Sequence, residues 1–306
     1  MPRWSKKHSL LNKVKASIII PTLNGGYLLL KACNALINQD FEDSWEVLII
    51  DSQSSDNSIE QTKNLFQKKK IPLKIITIHK RDFQHGRSRN QAIKESRGDI
   101  ILLLTQDAIP ANKNWLKIMI QSFDNTQVAG VFGRHIAHDN HPRLIQRDLD
   151  NHFNRMNEYP IRKIEDLIKY NNEISLRQIF HFFSNNNSAL RRKIWNKIPF
   201  PEVDFGEDQT WAKKAIESGN SIAYQHDSIV FHSHDFSFIQ SCVRTRIEKN
   251  FFLKNFGYDL KIDRRKLLPI IFNNIKNDLL WLLKTNQFHL RELYYSFKKN
   301  ISSNSF

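Results

Sequence analysis

Apolar residues in the first half of the chain fall into short runs separated by stretches of helical spacing. Ala16-Ser-Ile-Ile-Ile-Pro21 is rich in β-branched residues and reads as a strand covered on both faces. Leu29, Cys33, Leu36 and Ile37 then recur at helical intervals. Val47-Leu-Ile-Ile50 reads as a second strand, and Ile59, Thr62, Leu65 and Phe66 mark one face of a second helix. Leu73 to Ile78 predicts a third strand, residues 88–96 a short helix stopped near Gly98, Ile100-Ile-Leu-Leu-Leu104 a fourth strand and Val128 to Phe132 a fifth. This alternation predicts an α/β fold whose mostly parallel sheet is flanked by helices.

Such sheets bind ligands in the crevice beyond the carboxyl ends of their strands. Here those ends carry Thr22-Leu-Asn24, Asp51 to Asp56 and Thr105-Gln-Asp107, so polar residues gather where a ligand site belongs.

From His135 to about Asn172 the pattern loosens, which predicts an inserted loop or helix over the site. Phe180 to Phe183 leads into Ser184-Asn-Asn-Asn-Ser-Ala189, a strand or turn returning to the core. Trp211, Ala212, Ala215 and Ile216 form one face of a helix starting near Glu207. Ser221 to Tyr224 and Ser228 to Phe231 read as two short strands, followed at once by His232-Ser-His234. Residues 250–300 differ, with ten Lys or Arg against four Asp or Glu interleaved with runs such as Leu279-Leu-Trp-Leu-Leu283. They predict two or three short amphipathic helices, which either lie on an anionic membrane surface or cap the α/β domain. The expected divisions are a basic arm over 1–14, an α/β domain over 15–236 and a helical, basic region over 237–306. Within the α/β domain the regular alternation covers about 15–134 and the looser part about 135–236.

Composition narrows the class. The 306 residues are 40% hydrophobic and 25% charged, a globular balance, and the net charge of +15 favours a polyanionic partner. Cys33 and Cys242 offer neither a disulfide framework nor zinc-ligand spacing, and both read as buried thiols suited to a reducing cytoplasm. Arg3, Lys6, Lys7, Lys13 and Lys15 precede an apolar run too short for a secretory signal, so they read as a basic arm before the first strand. No stretch approaches the roughly 18 apolar residues of a membrane span.

Four groups can carry chemistry. Asp51, Asp56 and Asp107, at strand ends, can accept hydrogen bonds from a nucleoside or hold a hard cation against a diphosphate; as plain structure, each would cap a helix or close an Asx-turn. Lys80 to Asn90 packs three arginines, a lysine and His85 around Gly86, where the backbone can approach a phosphate; Arg89 and Asn90 are expected to face the site. Glu207 and Asp208 begin a helix, where one could serve as general base or both could simply complement the helix dipole. His232 and His234 flank one serine after a strand and so point the same way.

Taken together, Pro21-Thr-Leu-Asn24, Asp51-Ser-Gln-Ser-Ser-Asp56, Arg89-Asn90, Thr105-Gln-Asp107 and Glu207-Asp208 resemble glycosyltransferase family 2 over about residues 14–236. Phe83-Gln-His-Gly86, Leu104-Thr-Gln-Asp-Ala108, Phe183-Ser-Asn-Asn-Asn-Ser188 and Glu207-Asp-Gln209 with Trp211 look like its bacterial rhamnosyltransferase branch. The resemblance implies a GT-A fold and inverting transfer of a sugar, L-rhamnose from dTDP-rhamnose, to a lipid-linked surface glycan such as O-antigen. It also implies a peripheral enzyme on the cytoplasmic face of the inner membrane, with a polyprenyl-diphosphate-linked acceptor. Thr22 and Asn24 would line the base and ribose pocket, Asp51 would read the nucleobase and Arg89 would lie near the diphosphate. Asp107 matches the last acid of the metal-binding Asp-x-Asp motif, for Mg²⁺ or Mn²⁺, and Asp208 matches the catalytic base. The first acid of that motif is here Thr105, for which His232 or His234 could compensate. The donor side so expected comprises Pro21, Thr22, Asn24, Asp51, Ser54, His85, Gly86, Arg89, Asn90, Thr105, Gln106 and Asp107; the acceptor side comprises Asn186, Asn187 and Trp211.

A UDP-hexose donor is the alternative within the family. A nucleotidyltransferase would leave Glu207-Asp208 without a role. A nucleic-acid binder would alternate aromatics with Lys and Arg on one face, whereas here they sit inside apolar segments, so no nucleic-acid partner is expected.

Overall fold

The computed structural model describes residues 14–260 and 263–304, so the basic arm lies, except for its last residue, outside the described part. Two compact units emerge. The first comprises the described residues up to His135 together with 155–232, and the second comprises 136–154 and the described part of 233–306.

The first unit is built on one mixed sheet of nine strands among the described residues, β1(Ala16–Thr22), β2(Trp45–Asp51), β3(Leu73–Thr77), β4(Ile100–Leu104), β5(Ile109–Pro110), β6(Val128–Ile136), β7(Ile161–Arg162), β8(Asn187–Arg191) and β9(Ser221–Phe231). Their order is β3-β2-β1-β4-β8-β6-β9-β5, with β7 paired to β9. The pairs β1–β2, β1–β4 and β2–β3 are parallel, as the alternating pattern predicts. Beyond β4 the pairs β4–β8, β6–β8, β5–β9 and β7–β9 are antiparallel. Every residue of β1, β2 and β4 is buried, as expected of strands covered on both faces. Leu29, Cys33 and Leu36 of the Gly26–Ile37 helix, Phe66 of Ser58–Lys69, and Trp115 and Met119 of Trp115–Gln121 share a core with Ile18, Ile20, Val47, Ile49, Leu102 and Leu104.

Register sets the site. Thr22 lies opposite Asp51, so the polar ends of β1 and β2 are level. Leu104 lies opposite Asn187, so Thr105-Gln-Asp107 leaves the sheet where Ser184–Asn186 enters it.

Several boundaries differ from the sequence reading. The third helix is His85–Lys94 rather than 88–96, because the Gln84 side chain accepts from Arg87 N and starts it three residues early. β9 is one continuous strand where two were expected. Its polar middle stays extended, with Gln225 Nε2 donating to Ser122 Oγ at 3.2 Å and His226 Nε2 3.4 Å from Arg134 Nη1. The two-residue β5 gave no periodic signal. Cys33 is buried as expected, whereas Cys242 is only half-buried.

The second unit has helices Arg143–Met156 (up to Asn154), Phe238–Phe256, Arg264–Lys284 and Leu290–Ser302, the last three longer than the short helices expected. An ionic network fastens it internally. Arg147 Nη2 meets Asp278 Oδ1 at 2.5 Å and Asp148 Oδ1 at 2.7 Å, and Lys299 Nζ meets Asp148 Oδ2 at 2.8 Å. No described helix is long and apolar enough to cross a membrane.

Candidate active site

At the ends of β1, β2 and β4 a hydrogen-bonded cluster forms from residues selected as donor-binding. Pro21 is buried within β1. Thr22 Oγ1 donates to Gln106 Oε1 at 2.7 Å, and Leu23 N donates to the same oxygen at 2.9 Å. Asn24 takes a left-handed backbone conformation, φ 48°, which Asn tolerates better than bulkier residues. Its amide N–H donates to Ser54 Oγ at 2.8 Å, and its Oδ1 accepts from Ser55 N at 2.7 Å. Ser54 Oγ in turn donates to Asp51 Oδ1 at 2.5 Å. The two loops are therefore held open against each other by their own side chains, a preformed cradle. Asp56 serves structure: its carboxylate accepts from Ser58 N and Gly26 N, and the Ser58 hydroxyl bond holds its pKa below the usual range.

Thr105 Oγ1 and Ser52 Oγ are buried without a hydrogen-bond partner. A buried hydroxyl left unpaired is costly, and both lie at this strand-end crevice, where a polar ligand would satisfy them. Asp107 Oδ2 lies 3.7 Å from His232 Nε2, with both side chains largely buried. An acidic oxygen and an imidazole nitrogen at that separation fit one divalent cation. His232 also meets His135 edge-on, at 5.2 Å between ring centres. His234, two residues on and exposed, belongs to the second unit.

A second cluster surrounds the helix Glu207–Glu217. Gly206, at φ 71°, turns the chain into this helix in a conformation that favours glycine. Glu207 is buried, and its Oε1 accepts from Arg89 Nη1 at 2.5 Å and from Asn185 Nδ2 at 3.1 Å. Asp208 takes Asn185 N on Oδ2 at 3.2 Å and Gln209 N on Oδ1 at 2.8 Å. Burial, and then the neighbouring Glu207 charge, push the Asp208 carboxyl up to about 7 against those two donors and Arg89. His85 Nδ1 lies 3.3 Å from Arg89 Nη1, and desolvation followed by the Arg89 charge lowers the imidazole pKa, which favours the neutral ring.

Four expected site residues are otherwise engaged. Arg89, expected at a diphosphate, is instead the buried counter-ion of Glu207. Asn90 is a strut: it donates to Phe200 O and accepts from Trp195 Nε1 and Phe200 N. Asn187 accepts from Trp115 Nε1 and donates to Ser228 O, so it is framework rather than acceptor surface. Trp211 is fully buried beside Phe183 and Phe200, donating to Ile198 O. Gly86 does permit a close approach, but of the Pro201 carbonyl, which a Cβ there would strike. Asn186 stays half-buried in the turn before β8. Asn185, which the sequence reading passed over, is the residue that ties both acids together; three consecutive asparagines offer no period by which to choose among them.

A parallel half-sheet with a preformed polar cradle at its strand ends and an acid pair at a helix start is the arrangement of a glycosyltransferase of the GT-A type. The family model "Glycosyl transferase family 2" matches residues 17–198, and the chain belongs to that family. It is 30% identical over 228 residues to the O-antigen chain rhamnosyltransferase RfbN of Salmonella typhimurium, covering 73% of this chain and 68% of that protein. It is 31% identical over 225 residues to the O-antigen chain rhamnosyltransferase WbaN of Salmonella anatum, covering 72% and 67%. Among solved structures, the mannosyltransferase PcManGT from Pyrobaculum calidifontis, in complex with GDP-Man and Mn²⁺, shares the fold with a TM-score of 0.63. Its sequence identity is 15%, over 94% of this chain and 85% of that one. Staphylococcus aureus TarS residues 1–349 with UDP-GlcNAc gives 0.57 at 18% identity, over 95% and 89%.

Proposed function

We propose that this enzyme transfers L-rhamnose from dTDP-rhamnose, with inversion, to a hydroxyl of a growing lipid-linked surface glycan of the O-antigen kind. The observation that carries the mechanism is the unequal pair Glu207–Asp208. Arg89 neutralises the first acid, while the second is left with a raised pKa near the working pH of a general base. The rhamnose assignment is supported by the two rhamnosyltransferase relatives, 30% and 31% identical.

The cradle of Thr22, Asn24, Asp51, Ser54 and Gln106 binds the nucleoside. The acceptor oxygen attacks the anomeric carbon from the face opposite the diphosphate, and its proton passes to the Asp208 carboxylate. As the new C–O bond forms, the bond to the diphosphate breaks and its electron pair stays on the departing phosphate oxygen. That group leaves without protonation, so one base suffices where a glycosidase needs two carboxyl groups. Asp107 and His232 would hold Mg²⁺ or Mn²⁺, which when bound offsets the negative charge of the leaving diphosphate. The acceptor, a polyprenyl-diphosphate-linked glycan, would be met at the cytoplasmic face of the inner membrane.

Purified enzyme offered dTDP-rhamnose and the common UDP-, GDP- and dTDP-sugars, with and without Mg²⁺ or Mn²⁺, should release nucleoside diphosphate from dTDP-rhamnose foremost. Faster release from a UDP-hexose would replace the donor, and release of pyrophosphate would replace the reaction.

A further inference from the structure

The Leu290–Ser302 helix has its polarity reversed. Its buried positions are Glu292, Ser296, Lys298, Asn300 and Ser302, while Leu290, Tyr294, Phe297 and Ile301 are 84%, 62%, 48% and 39% exposed. Steps of four, three and four residues place those four apolar side chains on one narrow stripe. A helix packed in water turns its faces the other way.

The reversal is no packing accident, because each inward charge has built partners within the second unit. Glu292 accepts from Arg143 N at 2.6 Å and Leu144 N at 3.1 Å, capping the Arg143–Met156 helix. Lys298 Nζ donates to Asp235 Oδ1 and Phe236 O, each at 2.6 Å. Ser296 Oγ and Asn300 Nδ2 donate to Asp278 Oδ2 at 2.7 and 2.9 Å. Buried charges without such partners would be strongly unfavourable. The polar face is therefore the helix's seat, and the apolar stripe is its solvent-exposed face. The Arg264–Lys284 helix also leaves large side chains outward, with Phe272 73% and Leu283 62% exposed.

Charge selects what covers the stripe. Residues 233–306 hold thirteen Lys or Arg against six Asp or Glu, and two of those acids, Asp278 and Glu292, are buried. Lys276, Lys284 and Arg291 are exposed. A second copy meeting this face with its own would set like charges together, whereas anionic headgroups complement them. We propose that the Leu290–Ser302 helix is a membrane-docking element, its stripe entering the headgroup–acyl boundary of an anionic bilayer while exposed cations of the same unit meet the phosphates. This rests on the functional reading only for the acceptor being lipid-linked; the docking itself is read from this helix.

The test is co-sedimentation of the full chain with vesicles of phosphatidylcholine, alone or mixed with phosphatidylglycerol, beside nucleoside diphosphate release in solution as a separate readout. Binding is expected to the mixed vesicles and to weaken in high salt. Tyr294→Gln with Phe297→Gln, both at exposed positions, should reduce it by about tenfold or more while leaving donor turnover unchanged. Lys284→Glu should weaken it further at low salt. Equal binding to neutral vesicles, or full binding by the double variant, would overturn the proposal. So would a concentration-dependent dimer that the double variant dissolves, since a second copy would then be the cover. Inactivity toward every donor with vesicle binding intact would instead count against the functional reading alone.

Discussion

Glu207 has a buried arginine against one carboxylate oxygen, whereas Asp208, one residue on, has two backbone N–H donors and its neighbour's charge. That difference sets the pH behaviour. A base must be ionised to accept a proton, so kcat/KM is expected to fall about tenfold per pH unit below about 7, as Asp208 takes up a proton. The stability consequence has the opposite sign. The folded state holds this proton up to about 7, while the unfolded chain releases it near 4, so the contribution of Asp208 to stability declines as pH rises across that window. Asp208→Asn should therefore melt higher than the wild type above pH 7, by about 2–4 °C per kcal/mol recovered, with the gain fading toward pH 4. Arg89→Ala should cost about 3–5 kcal/mol in denaturant unfolding, because it strands a buried Glu207. Adding Glu207→Gln should recover part of that loss, a coupling visible in a double-mutant cycle.

The helix His85–Lys94 shows how an element holds the site. Gly86 lies against the Pro201 carbonyl, Asn90 is bonded to Phe200 and Trp195, and Arg89 reaches Glu207, so one helix fixes the chain segment that leads to the acids. Gly86→Ala should force these apart and lower stability by roughly 1–3 kcal/mol in equilibrium unfolding. This is also where sequence reading reached its limit. The spacing of hydrophobic runs located β1, β2, β4 and the helix bearing Trp211, because burial on both faces leaves an unbroken apolar signature. The polar strand ends located Thr22, Asn24, Asp51, Ser54 and Gln106, since topology alone brings strand ends together. What stayed hidden depended on partners distant in sequence. Arg89 and Asn90 are adjacent polar residues, yet one meets Glu207 and the other Phe200, and nothing local announces either. Asn187 and Trp211, expected on the acceptor side, are both put inside by register and packing.

At the scale of the molecule, the two units carry different physical signatures. The first has an unbroken apolar core under a polar strand-end crevice, and the cradle, Asp107–His232 and the acid pair all belong to it. The second is basic, fastened by a partly buried ionic network, and leaves large apolar side chains of its helices exposed. The +15 net charge thus need not imply nucleic acid; it suits an enzyme handling diphosphates beside an anionic surface. The central claim is that Asp208 is the base of a glycosyl transfer from a nucleotide sugar. It is tested most directly by nucleoside diphosphate release from dTDP-rhamnose, in the presence of acceptor and Mg²⁺ or Mn²⁺, by wild-type enzyme and Asp208→Asn, with donor binding measured alongside. The account predicts that the variant binds donor as the wild type does while turning over about 10²–10⁴-fold more slowly. Undiminished turnover by Asp208→Asn would contradict it.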